Sequence, residues 1–149
     1  MIETLPGIAR KITLTIPGKP QPGGSKRGVP GGKFTRIIDA NPKAADWKRT
    51  VQFFAQSAET PMFTGPLRVC ATFYLKRPAG HFGKKGLLPS ARPFPSVAPD
   101  ALKLMRSTED ALSGFCWVDD AQIVIEEIRK VYSEDCWTGA VIDIEEIAP

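Results

Sequence analysis

The stretch DALKLMRSTEDALSGFCWVDDAQIVIEEIRKV, residues 100–131, decides how this chain is read. Its first part has the spacing of a helix. Ala101, Leu104, Met105, Thr108, Ala111 and Leu112 recur three and four residues apart and share one face, which must pack on something apolar. Lys103, Arg106, Glu109 and Asp110 occupy the other side. Leu102 falls off the stripe, between Glu109 and Arg106, where a polar residue fits the pattern better. Gly114 stops the helix, Asp119 and Asp120 follow, and residues 122–131 read as a strand. Each carboxylate carries two readings. Asp100 follows a proline and suits a helix N-cap, and Asp119 and Asp120 suit a turn before a strand. If Asp120 instead faces Asp100, the pair can hold a hard divalent cation such as Mg²⁺, which takes oxygen ligands and stabilises charge on a phosphodiester.

The flanking sequence divides readily. Residues 11–16, KITLTI, alternate polar and apolar as a half-buried strand does. Residues 17–32 are rich in Pro and Gly, contain Ser25-Lys26-Arg27, and predict a mobile basic loop. A short strand is expected over 34–38. Asn41-Pro42 then offers a cap and a first-turn proline for a helix over 42–58 that buries Trp47, Val51, Phe54 and Ala55. Residues 67–75 form a clear strand with Val69, Ala71, Phe73 and Leu75 on one face. Residues 76–99 hold five prolines and the run GKKG, with no period, and a stretch of that length is functional or disordered. A second helix over 100–113 follows, and residues 122–131 and 137–147 read as the two strands of a hairpin. The expected fold is α+β, one domain over residues 1–149, with a mixed sheet and two packed helices.

Composition bounds the function. Residues 1–106 carry 18 Lys and Arg against 5 acids, whereas residues 107–149 carry 2 against 11. Such asymmetry suits a surface for a polyanion beside an acidic patch able to hold cations, and nucleic acid is the obvious polyanion. No run approaches the length of a membrane span, and the opening Met1-Ile2-Glu3-Thr4 lacks the features of a signal peptide, so no membrane partner and a cytoplasmic location are expected. Cys70, Cys116 and Cys136 are odd in number, well separated and accompanied by one histidine, His81. That argues against a disulfide framework or a zinc site and predicts buried or half-buried thiols.

The residues Pro99-Asp100-Ala101-Leu102-Lys103-Leu104-Met105-Arg106, then Asp110-Ala111-Leu112-Ser113-Gly114, then Trp117-Val118-Asp119-Asp120-Ala121-Gln122, resemble the RusA family of Holliday junction resolvases, the crossover junction endodeoxyribonucleases. The strand leading into Pro17-Gly18-Lys19-Pro20, the Ser25-Lys26-Arg27 loop, Trp47-Lys48 and Lys130 extend the likeness. The resemblance implies a homodimeric, Mg²⁺-dependent endonuclease, with Mn²⁺ as a substitute ion, often prophage-borne, that cuts four-way DNA junctions in recombination and repair. It implies metal-site roles for Asp100 and Asp120, with Asp119 supporting them, and a structural role for Asp110. Arg106 stands where the family has a catalytic lysine or arginine, and would stabilise phosphate charge. DNA contacts are expected from Lys26, Arg27, Lys76, Arg77, Lys84, Lys85, Lys103 and Lys130.

One departure matters. The family's second aspartate falls on Leu102, which cannot bind metal. Natural divergence, a shifted register or an engineered change would each produce it. Three functions are compatible with the residues: a junction-resolving nuclease, an impaired or dead junction-binding protein, and a metal-dependent phosphohydrolase of small nucleotides. The last has no use for the positive N-terminal part.

Overall fold

The computed structural model describes residues 7–23, 26–31, 34–39 and 41–148, with the side chains of 26–29 and 34–39 outside that description. Strand β1 (Ile8–Pro17) is followed by β2 (Lys26–Gly31) and β3 (Phe34–Asp39), helix α1 (Ala44–Ser57) and β4 (Leu67–Leu75). Residues 76–99 hold a 3-10 turn and two very short strands, β5 (Phe82–Gly83) and β6 (Gly86–Leu87). Helix α2 (Ala101–Leu112) leads through a 3-10 turn (Asp120–Gln122) into β7 (Ile123–Tyr132), and β8 (Gly139–Ile147) closes the described chain.

The main sheet has the order β1-β8-β4-β7. β8 is antiparallel to both β1 and β4, and β4 is parallel to β7, so the sheet is mixed and the fold is α+β as expected. Both helices cover one face. Alternate residues of the strands point into it: Leu14 and Ile16 from β1, Val69, Ala71 and Phe73 from β4, and Ala140, Ile142 and Ile144 from β8. Trp47, Val51 and Ala55 of α1 and Leu104, Met105, Ala111 and Leu112 of α2 fill the space above them. Thr108 belongs to the same buried face. It donates to the Leu104 carbonyl at 2.8 Å and accepts from the Trp47 indole at 3.0 Å, so the two helices meet through a satisfied polar contact.

The opposite face carries a row of charge. Lys11 lies 3.5 Å from Glu145, and Arg68 bridges Glu145 at 3.0 Å and Glu127 at 3.1 Å. Glu145 is only 4% exposed, and its two cationic neighbours compensate that burial.

Four expectations are corrected. Residues 26–31 are not loop: their backbone pairs antiparallel with β3, from Lys26 opposite Asp39 to Gly31 opposite Phe34. β7 and β8 are strands but not a hairpin, because β4 lies between them. β8 is the strand with the most completely buried inner residues, and it takes the interior position beside β4, while β7 reaches β4 from the other side through the α2 crossover. Cys136 is exposed, in the connection between β7 and β8, where its backbone turns left-handed at φ 67°. Helix α1 starts at Ala44, two residues later than its proline suggested, with Asn41 Oδ1 accepting from the Lys43 amide at 3.1 Å.

Replacing Thr108 by Val should leave the Trp47 N–H buried without an acceptor. The expected cost is about 1–3 kcal/mol, read as a lowered urea midpoint with an unchanged m-value.

Candidate active site and nucleic-acid surface

Because β4 and β7 run parallel, the helix between them must return in the opposite direction. Leu67 pairs with Ile123 at one end of the strands and Phe73 with Lys130 near the other. Lys130 Nζ donates to the carbonyls of Val97 and Pro99, both at 2.9 Å, and so ties the start of α2 to the far end of β7. The end of α2 lies by the beginning of β7, where Glu109 faces Glu126. Twelve helical residues at 1.5 Å each place roughly 18 Å between the two ends.

Asp100 is at the first end. It takes the N-cap position with extended backbone, yet its side chain makes no capping hydrogen bond. The carboxylate is exposed, with Lys103 Nζ 4.0 Å away. Asp100 and Lys103 line a cleft of about 270 Å³ with Pro22, Gly23, Asn41 and Pro99. The cleft is held together by the Gly23 amide donating to the Lys103 carbonyl at 2.9 Å and by the Ser107 hydroxyl donating to the Gln21 carbonyl at 2.6 Å. Leu102 is 60% exposed, two residues after Asp100, and Arg106 is exposed one turn further on.

Asp120 is at the second end. Its Oδ1 accepts from the buried Trp117 indole at 2.8 Å. Asp119 takes the structural role: its Oδ1 accepts from the Ala121 amide at 2.8 Å and caps the turn. Gln122 completes the loop. Its carbonyl oxygen accepts from the amides of Val118 and Asp119, and its amide group donates to the carbonyls of Phe63 and Gly65 at 3.0 Å. The Asp-Asp-Ala-Gln run is thus a rigid turn that presents the free carboxylate oxygen of Asp120.

Glu109 was expected on the outer side of α2. It is half-buried against β7, and the ordinary value of its carboxyl, 4.5, is pushed up to about 8 by burial and then by the facing Glu126, with Asp120 and Asp110 adding repulsion. Asp110 is itself 3.6 Å from Lys48 of α1. The charge balance pointed to an acidic patch within residues 107–149, but not to the meeting of Glu109 with Glu126. The available signal was Glu126 on the helix-facing side of β7, in line with Ile128 and Lys130, and it becomes visible only once the register with β4 is known.

The expectation that Asp100 and Asp120 approach a single cation is therefore not met within one chain, because they terminate opposite ends of α2. Among the described residues no three His, Cys, Asp or Glu side chains are grouped to hold a metal ion. With Leu102 in place of an acid, the described residues of one chain do not assemble a Mg²⁺ site around Asp100.

The basic residues also sort. Lys76, Lys84 and Lys85 are exposed, and Lys84-Lys85 is the tip of the β5–β6 hairpin rather than part of an unstructured loop. Arg77 is engaged internally: it donates to the Arg92 carbonyl at 2.7 Å, contacts His81 Nδ1 at 3.1 Å, and stacks 4.4 Å from the Tyr132 ring centre. Lys130 is engaged as described above, and Lys103 lines the cleft. The side chains of Lys26 and Arg27 lie outside the described residues. Lys19 and Lys43, not among the expected DNA contacts, line a second cleft of about 260 Å³ beside the first turn of α1.

The sequence profile of the endodeoxyribonuclease RusA family matches residues 17–145, nearly the whole chain. The chain belongs to this family, whose members are endodeoxyribonucleases that resolve Holliday junctions. A search of curated proteins returned no match. No helix among the described residues is long and apolar enough to cross a membrane.

Glu109→Gln imitates the protonated side chain. A carboxyl whose folded value lies above its unfolded value stabilises most below the unfolded value and loses that contribution as pH rises toward the folded one. The variant should therefore match its parent near pH 4.5, gain progressively up to pH 8, and then level off at an advantage of about a few degrees in Tm, measured by thermal melts across that range.

Proposed function

We propose that the protein binds four-way DNA junctions as a homodimer in the cytoplasm, and that its Mg²⁺- or Mn²⁺-dependent cutting is strongly impaired by Leu102. The observation that carries this reading is the exposed Leu102 side chain between Asp100 and Arg106, at the position where the family pattern has an acid. A divalent ion in such a site supplies activated water and charge stabilisation, and loss of one oxygen ligand weakens its hold.

Dimerisation is supported by two features. A symmetric junction cut needs two sites, which one small chain does not supply. A second copy also offers a way to bring an Asp120 to an Asp100, since one chain holds them apart. Exposed apolar side chains flank both ends, Val97 and Leu102 near Asp100 and Val118 and Val124 near Asp120, and β7 is an edge strand. In this reading Asp100 and Asp120 supply carboxylate oxygens from different copies. Arg106 faces the phosphate, and Asp119, Trp117 and Gln122 orient Asp120. Exposed lysines give phosphate contacts whose strength falls with salt.

Leu102→Asp should raise Mg²⁺-dependent cleavage of a synthetic four-way junction by at least about tenfold. Asp120→Asn in that background should abolish cutting and spare binding. An unimproved Leu102→Asp protein that binds Mg²⁺ would sink the reading. Subunit mixing tests the assembly. Leu102→Asp protein carrying Asp100→Asn, mixed with Leu102→Asp protein carrying Asp120→Asn, should regain nicking, because about half of randomly formed dimers then hold one intact composite site. Sites assembled within each chain would give no recovery.

A further inference from the structure

The segment 76–99 carries Lys76, Arg77, Lys84, Lys85 and Arg92 and no acid, and it displays large apolar side chains to solvent. Its β5–β6 hairpin sets Phe82 directly opposite Leu87 and Gly83 opposite Gly86, with Lys84-Lys85 at the tip. Directly opposed residues project on the same side, so Phe82 and Leu87 form one apolar edge, 51% and 54% exposed, just behind two lysines. The hairpin has a firm base. The Leu88 amide donates to the His81 carbonyl at 2.8 Å, His81 meets the buried Tyr132 ring edge-on at 5.5 Å, and Arg77 holds both Tyr132 and the Arg92 carbonyl. At its other end the segment is held to Lys130 through Val97 and Pro99, next to Asp100. An exposed apolar edge on an anchored hairpin, within a segment whose only Lys, Arg, Asp or Glu residues are cationic, suits a partner that combines phosphates with exposed aromatic faces.

We propose that Phe82 and Leu87 form a wedge that packs on the base faces exposed at the branch point of a DNA junction, while Lys84 and Lys85 hold the adjoining phosphates. The inference rests on the junction-binding reading above and deepens it. In linear duplex the base faces are stacked and covered, so the apolar edge has nothing to meet there. At a branch the stack is interrupted, and apolar and aromatic side chains bind such faces with little regard to sequence. The wedge therefore confers preference for branched over linear DNA, and the lysines confer affinity for both.

The test compares the parent protein with Phe82→Ala/Leu87→Ala, Phe82→Tyr and Lys84→Ala/Lys85→Ala, using a four-way junction with 2-aminopurine at the branch and a linear duplex of the same sequence. The expected result is that Phe82→Ala/Leu87→Ala binds the junction on the order of tenfold more weakly, binds duplex as before, and loses the fluorescence change that the parent produces. Phe82→Tyr keeps both. Lys84→Ala/Lys85→Ala weakens binding to both DNAs and lowers the salt slope by roughly one per lost contact. Unchanged junction binding by Phe82→Ala/Leu87→Ala overturns the wedge. So does a shift of that variant from dimer to monomer with equal losses on both DNAs, which would assign the edge to a second copy. A parent protein that binds neither DNA would overturn the junction reading itself, an outcome visible before any variant is made.

Discussion

The parallel pairing of β4 with β7 governs the geometry of this molecule. Two parallel neighbours require a connection that runs back along the sheet, and α2 is that connection. Its apolar stripe packs against the sheet and α1, so neither its direction nor its rotation is free. Asp100 and Asp120 are hung on its two ends. Asp100 begins the helix beside the late part of β7, and Asp120 follows it beside the early part. One turn of helix would have left the two carboxylates as neighbours, but twelve helical residues put roughly 18 Å between the two ends.

The two ends differ in electrostatics as much as in position. At the start of α2, Lys103 and the Lys130 ammonium accompany Asp100, and Lys19 and Lys43 line the neighbouring cleft. At its end Glu109 is half-buried and faces Glu126, with Asp120 and Asp110 adding repulsion, and burial first and repulsion second keep its proton on near neutral pH. A phosphate approaches the first end readily. The second end repels it unless cationic charge intervenes. A metal-dependent nuclease site needs both properties in one place, and the proposed pairing of the ends of two copies would supply them.

Internal anchoring also separates residues that composition treats alike. Arg77 and Lys130 belong to the same positive balance as Lys84 and Lys85, but they spend their hydrogen bonds on the segment 76–99 and on the entry to α2. They position the surface. The tip lysines are exposed, and among the described residues no hydrogen bond or ion pair holds them back from a phosphate.

Much of this was legible in the residues. The 3.6-residue period of Ala101, Leu104, Met105, Thr108, Ala111 and Leu112 determined α2, alternation determined β1 and β4, and the off-stripe position of Leu102 determined its exposure, because each depends only on neighbours in the chain. The motif around Asp100, Asp119 and Asp120 determined the family. What the residues could not decide was which strands lie side by side. Nothing local distinguishes a β7–β8 hairpin from a sheet with β4 inserted between them, and the answer rests on how β4, β7 and β8 share one buried face. From that one non-local choice follow the separation of Asp100 from Asp120, the confrontation of Glu109 with Glu126, and the engagement of Lys130 at the start of α2. Periodicity assigns a side chain to a face, whereas only the packed sheet decides what that face meets.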